Sequence, residues 1–227
     1  MRKELKVLII DDHPLIISSF QDALQYVSEN YYNPVDFNIS SANDCGTAFS
    51  KIEKSVNEQT LYDLVFLDIK LPPALDKKIL SGEDLGIKIR ELSPETKIVV
   101  STTYEDNYRI INIFKTINPD GFLIKSDLGP NELIKAIEFY SDDVPYYSKR
   151  ILHLLKKVTT TDFSLDDIDR RILHELSKGA KMKELPDILY ISLAAIEKRK
   201  RRLKELFDVL EGNDRDLFKT AEDKGFI

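Results

Sequence analysis

Apolar residues along the first 140 positions follow two rhythms. Short, near-continuous runs at KVLII (6–10), YDLVFLD (62–68), KIVVSTT (97–103) and DGFLIK (120–125) predict strands buried on both faces, and DFNISSA (36–42) predicts a weaker one. Between them, LIISSFQDALQYV (15–27) and stretches near 44–57, 82–92, 106–117 and 130–140 carry apolar residues at helical spacing. Strands alternating with helices in this way predict a doubly wound α/β domain around a five-stranded parallel sheet. The alternation then stops. SDDVPYYSKR (141–150) reads as the exit from a domain, ILHLLKKV (151–158) as a short linker helix, and TTTDFSLDD (159–167) as a linker running into a helix cap. From Ser164 onward the pattern is helical, with Ser164 as N-cap, a helix through Asp169–Ser177 closed by Gly179, and further helices near 182–190, 192–207 and 214–224. The expected organisation is an α/β domain over 1–140, a linker over 141–163 and a small all-α domain over 164–227.

Composition changes this picture little. With 227 residues, 42% hydrophobic and 32% charged, and only eight Gly and nine Pro, the chain is that of an ordinary globular protein. No apolar run has the length of a membrane span, and VLII is too short for a signal-peptide core, so no membrane association is expected. The single Cys45 excludes an internal disulfide and fits a reducing cytoplasm. Three scattered histidines offer no zinc-ligand spacing, and His174-Glu175 lacks the second histidine of a metalloprotease helix. Charge adds an asymmetry. Residues 1–150 hold 17 Lys+Arg against 24 Asp+Glu, a net of −7, whereas residues 151–227 hold 16 against 15, a net of +1. The acidic front repels nucleic acid; the back approaches it where its charges cluster.

Candidate chemistry sits at strand ends. Ligands of an open parallel sheet bind outside the carboxyl ends of its strands. The first strand ends in Asp11-Asp12, the third in Asp68, the fourth in Thr102 with Thr103 beside it, and the last in Lys125. Any one of these alone reads as a solvated loop residue or a helix cap. Together, three carboxylates make a hard-oxygen site suited to Mg²⁺, with a lysine and a hydroxyl opposite. Those are the parts that phosphoryl transfer uses, because its catalysis is mostly positioning and charge neutralisation.

With these residues in order, the chain resembles the two-component response regulators that carry a phosphate-accepting receiver domain. The resemblance rests on IIDDHP (9–14), LVFLDIKLP (64–72), IVVST (98–102) and DGFLIK (120–125). It implies Asp68 as the phosphoacceptor for a sensor histidine kinase, with Asp11, Asp12, Asp68 and the Lys70 backbone carbonyl holding Mg²⁺. Lys125 would pair with the phosphoryl oxygens, and Thr102 and Phe122 would be the switch pair. Counting back from Lys125 lands on Thr103, but alignment of the strand itself gives Thr102. Two segments are longer than usual for the family, one around QYVSENYYNPVDF and one at LPPALDKKILSGEDLG (71–86), beside the site.

The tail carries a second resemblance. GAKMKELPDILYISLAAIEKRKRRLKELFDV is similar to the LuxR-type helix-turn-helix of the NarL/FixJ group, with Leu173, Leu185, Leu189, Ile191, Ile196 and Leu203 on its apolar positions and DLFKTAEDKGFI as a last helix. It implies 192–207 as the recognition helix and Lys198, Arg199, Arg201 and Arg202 as DNA contacts. Ala194-Ala195 and Glu197 depart from the polar pattern usual there, and Pro186 falls early in the scaffold helix. The expectation is a cytoplasmic transcriptional regulator, phosphorylated on Asp68 and a homodimer when phosphorylated, with no enzymatic activity beyond Mg²⁺-dependent self-phosphorylation. The alternative is a receiver whose helical domain binds a protein partner. An independent hydrolase is the poorer third reading, because the helical domain supplies no substrate pocket.

Overall fold

The computed structural model describes residues 2–32, 35–75, 79–159, 165–224 and 226–227. It divides into two compact units, one of residues 1–104 with 113–151, the other of 105–112 with 152–227.

The first unit alternates as its apolar pattern dictates. Its order is β1 (Lys3–Ile10), α1 (Pro14–Asn30), β2 (Val35–Ala42), α2 (Cys45–Asn57), β3 (Leu64–Leu67), α3 (Gly82–Leu92), β4 (Lys97–Thr102), α4 (Asn107–Ile117), β5 (Gly121–Ile124) and α5 (Pro130–Ser141). The five strands form one sheet in the order β2-β1-β3-β4-β5, with every neighbouring pair parallel. All residues of β3 and β5 are buried, as expected of strands covered on both faces. On one face Phe20, Leu24 and Val27 of α1 meet Val7, Ile9 and Phe66 of the sheet and Leu133 and Ile137 of α5. The rings of Phe20 and Phe66 lie 4.5 Å apart at the centre of this layer.

Of residues 141–150, read from sequence as a domain exit, Tyr146–Ser148 lie along the outer edge of β5. The Phe122 amide donates to Tyr146 O at 3.2 Å, and the Ser148 amide to Phe122 O at 3.0 Å. The outward amide and carbonyl of Phe122, of a kind that otherwise invites pairing with other chains, thus find partners within the chain. The expected linker helix is α6 (Lys149–Thr159), with Ile151 and Leu154 buried.

The second unit's tail holds α7 (Asp167–Ser177), α8 (Leu185–Leu189), α9 (Leu193–Leu206) and α10 (Asp214–Asp223). Ile172, Leu173, Leu185, Ile196, Leu203 and Leu217 form its core, with Phe207 and Phe226 edge-to-face at 5.6 Å. The expected cap Ser164 lies outside the described residues; Asp166 caps α7, accepting from the Asp169 amide at 2.8 Å. An aspartate in that position satisfies an orphan amide and faces the positive end of the helix dipole. Gly179 follows α7 with φ +96°, a left-handed conformation that glycine adopts without the Cβ penalty. Helix α8 is shorter than the 182–190 expected. Pro186 lies in its first turn, where its missing amide costs nothing, and Tyr190 ends it at φ 56°. Asn213 and Asp216 form a capping box at α10.

Candidate functional site

Sheet register brings the site together. Ile10 pairs with Leu67 across β1 and β3, so Asp11 and Asp68 leave the sheet side by side, one residue beyond their strands. Both continue the ladder for one more step, the Asp11 amide donating to Ala42 O at 3.1 Å and the Asp68 amide to Ile10 O at 2.9 Å. The strand order reverses at this point, with β2 on one side of β1 and β3 on the other, which is where doubly wound sheets open a crevice. Lys125, the residue after β5, reaches across: its Nζ lies 2.6 Å from Asp11 Oδ2 and 2.6 Å from Asp68 Oδ2. Both carboxylates are buried. Their second oxygens are fixed by backbone, Asp11 Oδ1 accepting from the His13 amide and Asp68 Oδ1 from the Lys70 amide, each at 3.0 Å.

Glycine holds the floor of this site. A Cβ on Gly82, the first residue of α3, would stand 1.9 Å from the Asp68 carbonyl oxygen. The Gly82 amide donates to Ile69 O at 3.0 Å, so the N-terminus of α3 presses on the Asp68 turn and only a residue without a side chain fits.

Three carboxylates against one ammonium leave the cluster two negative charges in excess. Asp12 Oδ1 is buried, with His13 Nδ1 2.7 Å away. Carboxylates crowded in this way disfavour one another's charge unless a cation intervenes. One ligand atom from each of Asp11, Asp12, His13 and Asp68 lies within 4.8 Å of the others. The donor set therefore fits a divalent cation.

Of the other residues expected at this end, Thr102 is the last residue of β4, fully buried, with its Oγ1 accepting from the Tyr104 amide at 3.2 Å. Thr103 is exposed. Phe122, opposite Val100 in the sheet, is fully buried and stacked on Phe114 at 5.0 Å. The segment 71–86 is anchored where described: Leu71, Ala74 and Ile79 are buried, and the Cys45 amide donates to Pro72 O. Burial pushes the Cys45 thiol up to about 11, which leaves it inert at neutral pH.

In the helical tail the four cations of α9 expected at DNA divide. Lys198, Arg201 and Arg202 are exposed. Arg199 Nη1 lies 2.6 Å from Asp166 Oδ2 and 2.7 Å from Asp169 Oδ1, and the Asp169 carboxylate is buried. Lys200 pairs with Asp214 at 2.6 Å. The hydrogen bonds it donates to Asp166 and Asp169 raise the Arg199 guanidinium above its usual value. The charge run thus serves both faces of α9, anchoring it to α7 and α10 and presenting cations to solvent. Sequence reading missed this clamp, because Asp166 and Asp169 stand some thirty residues from Arg199 and no local spacing links them. It also passed over His13, although HP follows the paired aspartates directly.

Residues 7–138 match the response regulator receiver domain family. The chain belongs to the response regulators. It is similar over its full length to a transcriptional regulatory protein, MctR, of Rhizobium johnstonii (26% identical over 228 residues, 100% of this chain and 97% of that protein). A nitrate/nitrite response regulator homologue of Haemophilus influenzae is 27% identical over 206 residues, covering 89% of this chain and 90% of its own length. Among solved structures, RcsB dimers bound to two parallel DNAs match with a TM-score of 0.63 at 19% identity, over 97% of this chain and 98% of that one. RcsB of Salmonella enterica serovar Typhimurium on a promoter, with the phosphomimetic BeF3⁻, matches with 0.61 at 20% identity over 95% and 97%. The Rhizobium relative is a transcriptional regulatory protein, and a receiver followed by a helical domain is the NarL/FixJ architecture expected from the sequence. No described helix is long and apolar enough to cross a membrane.

Proposed function

We propose that this response regulator takes a phosphoryl group on Asp68 from a sensor histidine kinase and uses the modification to control DNA binding through α9. The observation that carries the reading is the reach of Lys125 Nζ to both Asp11 and Asp68, beside Asp12, at the strand ends of a receiver sheet. An Asp68 carboxylate oxygen attacks phosphorus, the bond to the donor's histidine nitrogen breaks, and the imidazole leaves. Lys125 then turns from the carboxylates toward the new phosphoryl oxygens, and the Thr102 hydroxyl donates to another of them. Asp11, Asp12, Asp68 and the Lys70 carbonyl would hold Mg²⁺, which would neutralise the oxygen charge that builds during transfer. Self-phosphorylation on Asp68 is the only chemistry assigned to the chain.

Movement of Thr102 leaves the Tyr104 amide that it now accepts from, and the Phe122 side of the sheet repacks with it. Such a change acts as a switch only where the phosphorylated state favours one arrangement over another. In this reading it favours a homodimer in the cytoplasm that sets two α9 helices on DNA half-sites. In this reading the exposed Lys198, Arg201 and Arg202 touch DNA, with Arg199 holding the helix they stand on. The solved RcsB complexes with DNA support this assignment by their fold. A second reading, in which the helical domain binds a protein, is favoured by the exposed Glu197 in mid-helix and by the engagement of Arg199.

Full-length protein mixed with fragments of its own genome, with and without Mg²⁺ and beryllofluoride, separates the two. Selective retention that rises with beryllofluoride and weakens steeply with salt supports the DNA reading, since each phosphate contact releases counterions. No retention in either state, from protein that demonstrably binds beryllofluoride, removes it.

A further inference from the structure

His13 is held over the carboxylates by its backbone. It precedes Pro14 as the N-cap of α1, with φ −101° and ψ 109°. A residue before proline is confined to extended conformations, and the His13 amide is tied to Asp11 Oδ1 at 3.0 Å. With the main chain so fixed, the ring turns toward the acidic pair. Its Nδ1 lies 2.7 Å from Asp12 Oδ1 and 3.4 Å from Asp11 Oδ1. Asp12 Oδ1 is itself buried. At that separation the two atoms are spaced as neighbouring ligands of one cation would be. Adjacent corners of an octahedron with bonds of about 2.1 Å stand about 3 Å apart. Asp68 belongs to the same group of ligand atoms, all within 4.8 Å of one another.

We infer that His13 is a fifth protein ligand of this cation site, through Nδ1, beside Asp11, Asp12, Asp68 and the Lys70 carbonyl, and that it shifts the site's preference from Mg²⁺ toward a borderline transition cation such as Mn²⁺. The inference rests on the cation-site reading above. Carboxylates and waters suit Mg²⁺ and Mn²⁺ alike, whereas an imidazole nitrogen adds far more to the binding of transition ions than to that of Mg²⁺. The ring remains 67% exposed, so its replacement removes a ligand and not a piece of the core.

The test loads resting, full-length protein with Mn²⁺ and reads the electron spin echo for nitrogen coupling, alongside Mn²⁺ and Mg²⁺ affinities by titration and competition. The wild type is expected to show directly bound nitrogen, and His13→Ala to lose it. Removing even an outer partner of a ligand costs roughly 10–100-fold in metal affinity. His13→Ala is therefore expected to weaken Mn²⁺ at least about tenfold, with Mg²⁺ changed far less. An oxygen-only Mn²⁺ spectrum in the wild type, with His13→Ala keeping the same Mn²⁺ to Mg²⁺ ratio, overturns the role of His13 and leaves the site standing. Unaltered Mn²⁺ binding in Asp12→Asn and Asp68→Asn brings down the cation-site reading itself, and His13's part with it.

Discussion

Replacing Arg199 with alanine tests whether the basic helix is held in place by one of its own cations. The Asp169 carboxylate is 2% exposed and lies 2.7 Å from Arg199 Nη1; its next cation, Arg202, is 4.0 Å away. Breaking a buried pair by removing one partner costs about 3–5 kcal/mol, because the remaining charge is left uncompensated. Two features lower that figure: Arg199 is 28% exposed, and Arg202 stays within reach. A loss of about 2–3 kcal/mol remains after that discount. At roughly 0.05–0.15 kcal/mol per residue, a 60-residue domain has only about 3–9 kcal/mol to lose. Hydrogen exchange read by mass spectrometry on the full chain reports this locally. Amides of α7 and α9 should lose protection by that amount while those of β1 and β3 keep theirs. Pairing Arg199→Met with Asp169→Leu should restore most of the loss, since no buried charge is then stranded. Unchanged protection in α7 and α9, with DNA retention reduced, would refute the clamp and return Arg199 to the DNA contacts.

Acid acts on the same clamp. Desolvation raises the Asp166 carboxyl, but the Asp169 amide and the Arg199 guanidinium outweigh it and hold it below the usual value. A depressed folded value stabilises above the unfolded carboxylate range, near about 4, and is lost as pH falls through the folded one. The gap between wild type and Arg199→Ala should therefore narrow in acid. Asp44 behaves in the same sense: chiefly through the Thr47 amide, its carboxyl is held low, and it caps α2. Asp44→Ala should cost about 1 kcal/mol in urea titrations at neutral pH and progressively less below the carboxylate range. Gly82→Ala places a methyl 1.9 Å from the Asp68 carbonyl, so Asp68 should no longer accept phosphate even where circular dichroism finds the fold retained. Lys198→Ala and Arg201→Ala should each flatten the salt dependence of DNA retention by about one unit of log–log slope. A slope unchanged in both variants would place the contact surface elsewhere.

The sequence was most legible where chemistry and periodicity coincide. Strand periodicity put Asp11, Asp12, Asp68, Thr102 and Lys125 at strand ends, and parallel register does the rest, since carboxyl ends in one sheet all face one side. Strand alignment favoured Thr102 over Thr103; Thr102 is the buried end of β4 and Thr103 is exposed. Contacts across long sequence separations were not legible. The cover that Tyr146–Ser148 gives β5 depends on where α5 ends, and the Arg199 clamp depends on how α7 packs on α9. Neither leaves a periodic trace. Ser164 and Asp166 are both good caps by residue type, and only the hydrogen bond to the Asp169 amide identifies the one in use.

The central claim is that Asp68 accepts a phosphoryl group, and intact-mass analysis tests it most directly. Full-length protein incubated with a small-molecule phosphoryl donor and Mg²⁺ should gain the mass of one phosphoryl group, with the acid-stable, base-labile behaviour of an acyl phosphate. Asp68→Asn should gain none, and Lys125→Ala should gain it far more slowly. Equal labelling of the wild type and Asp68→Asn, or no labelling of a wild type that binds the cation, would contradict the account.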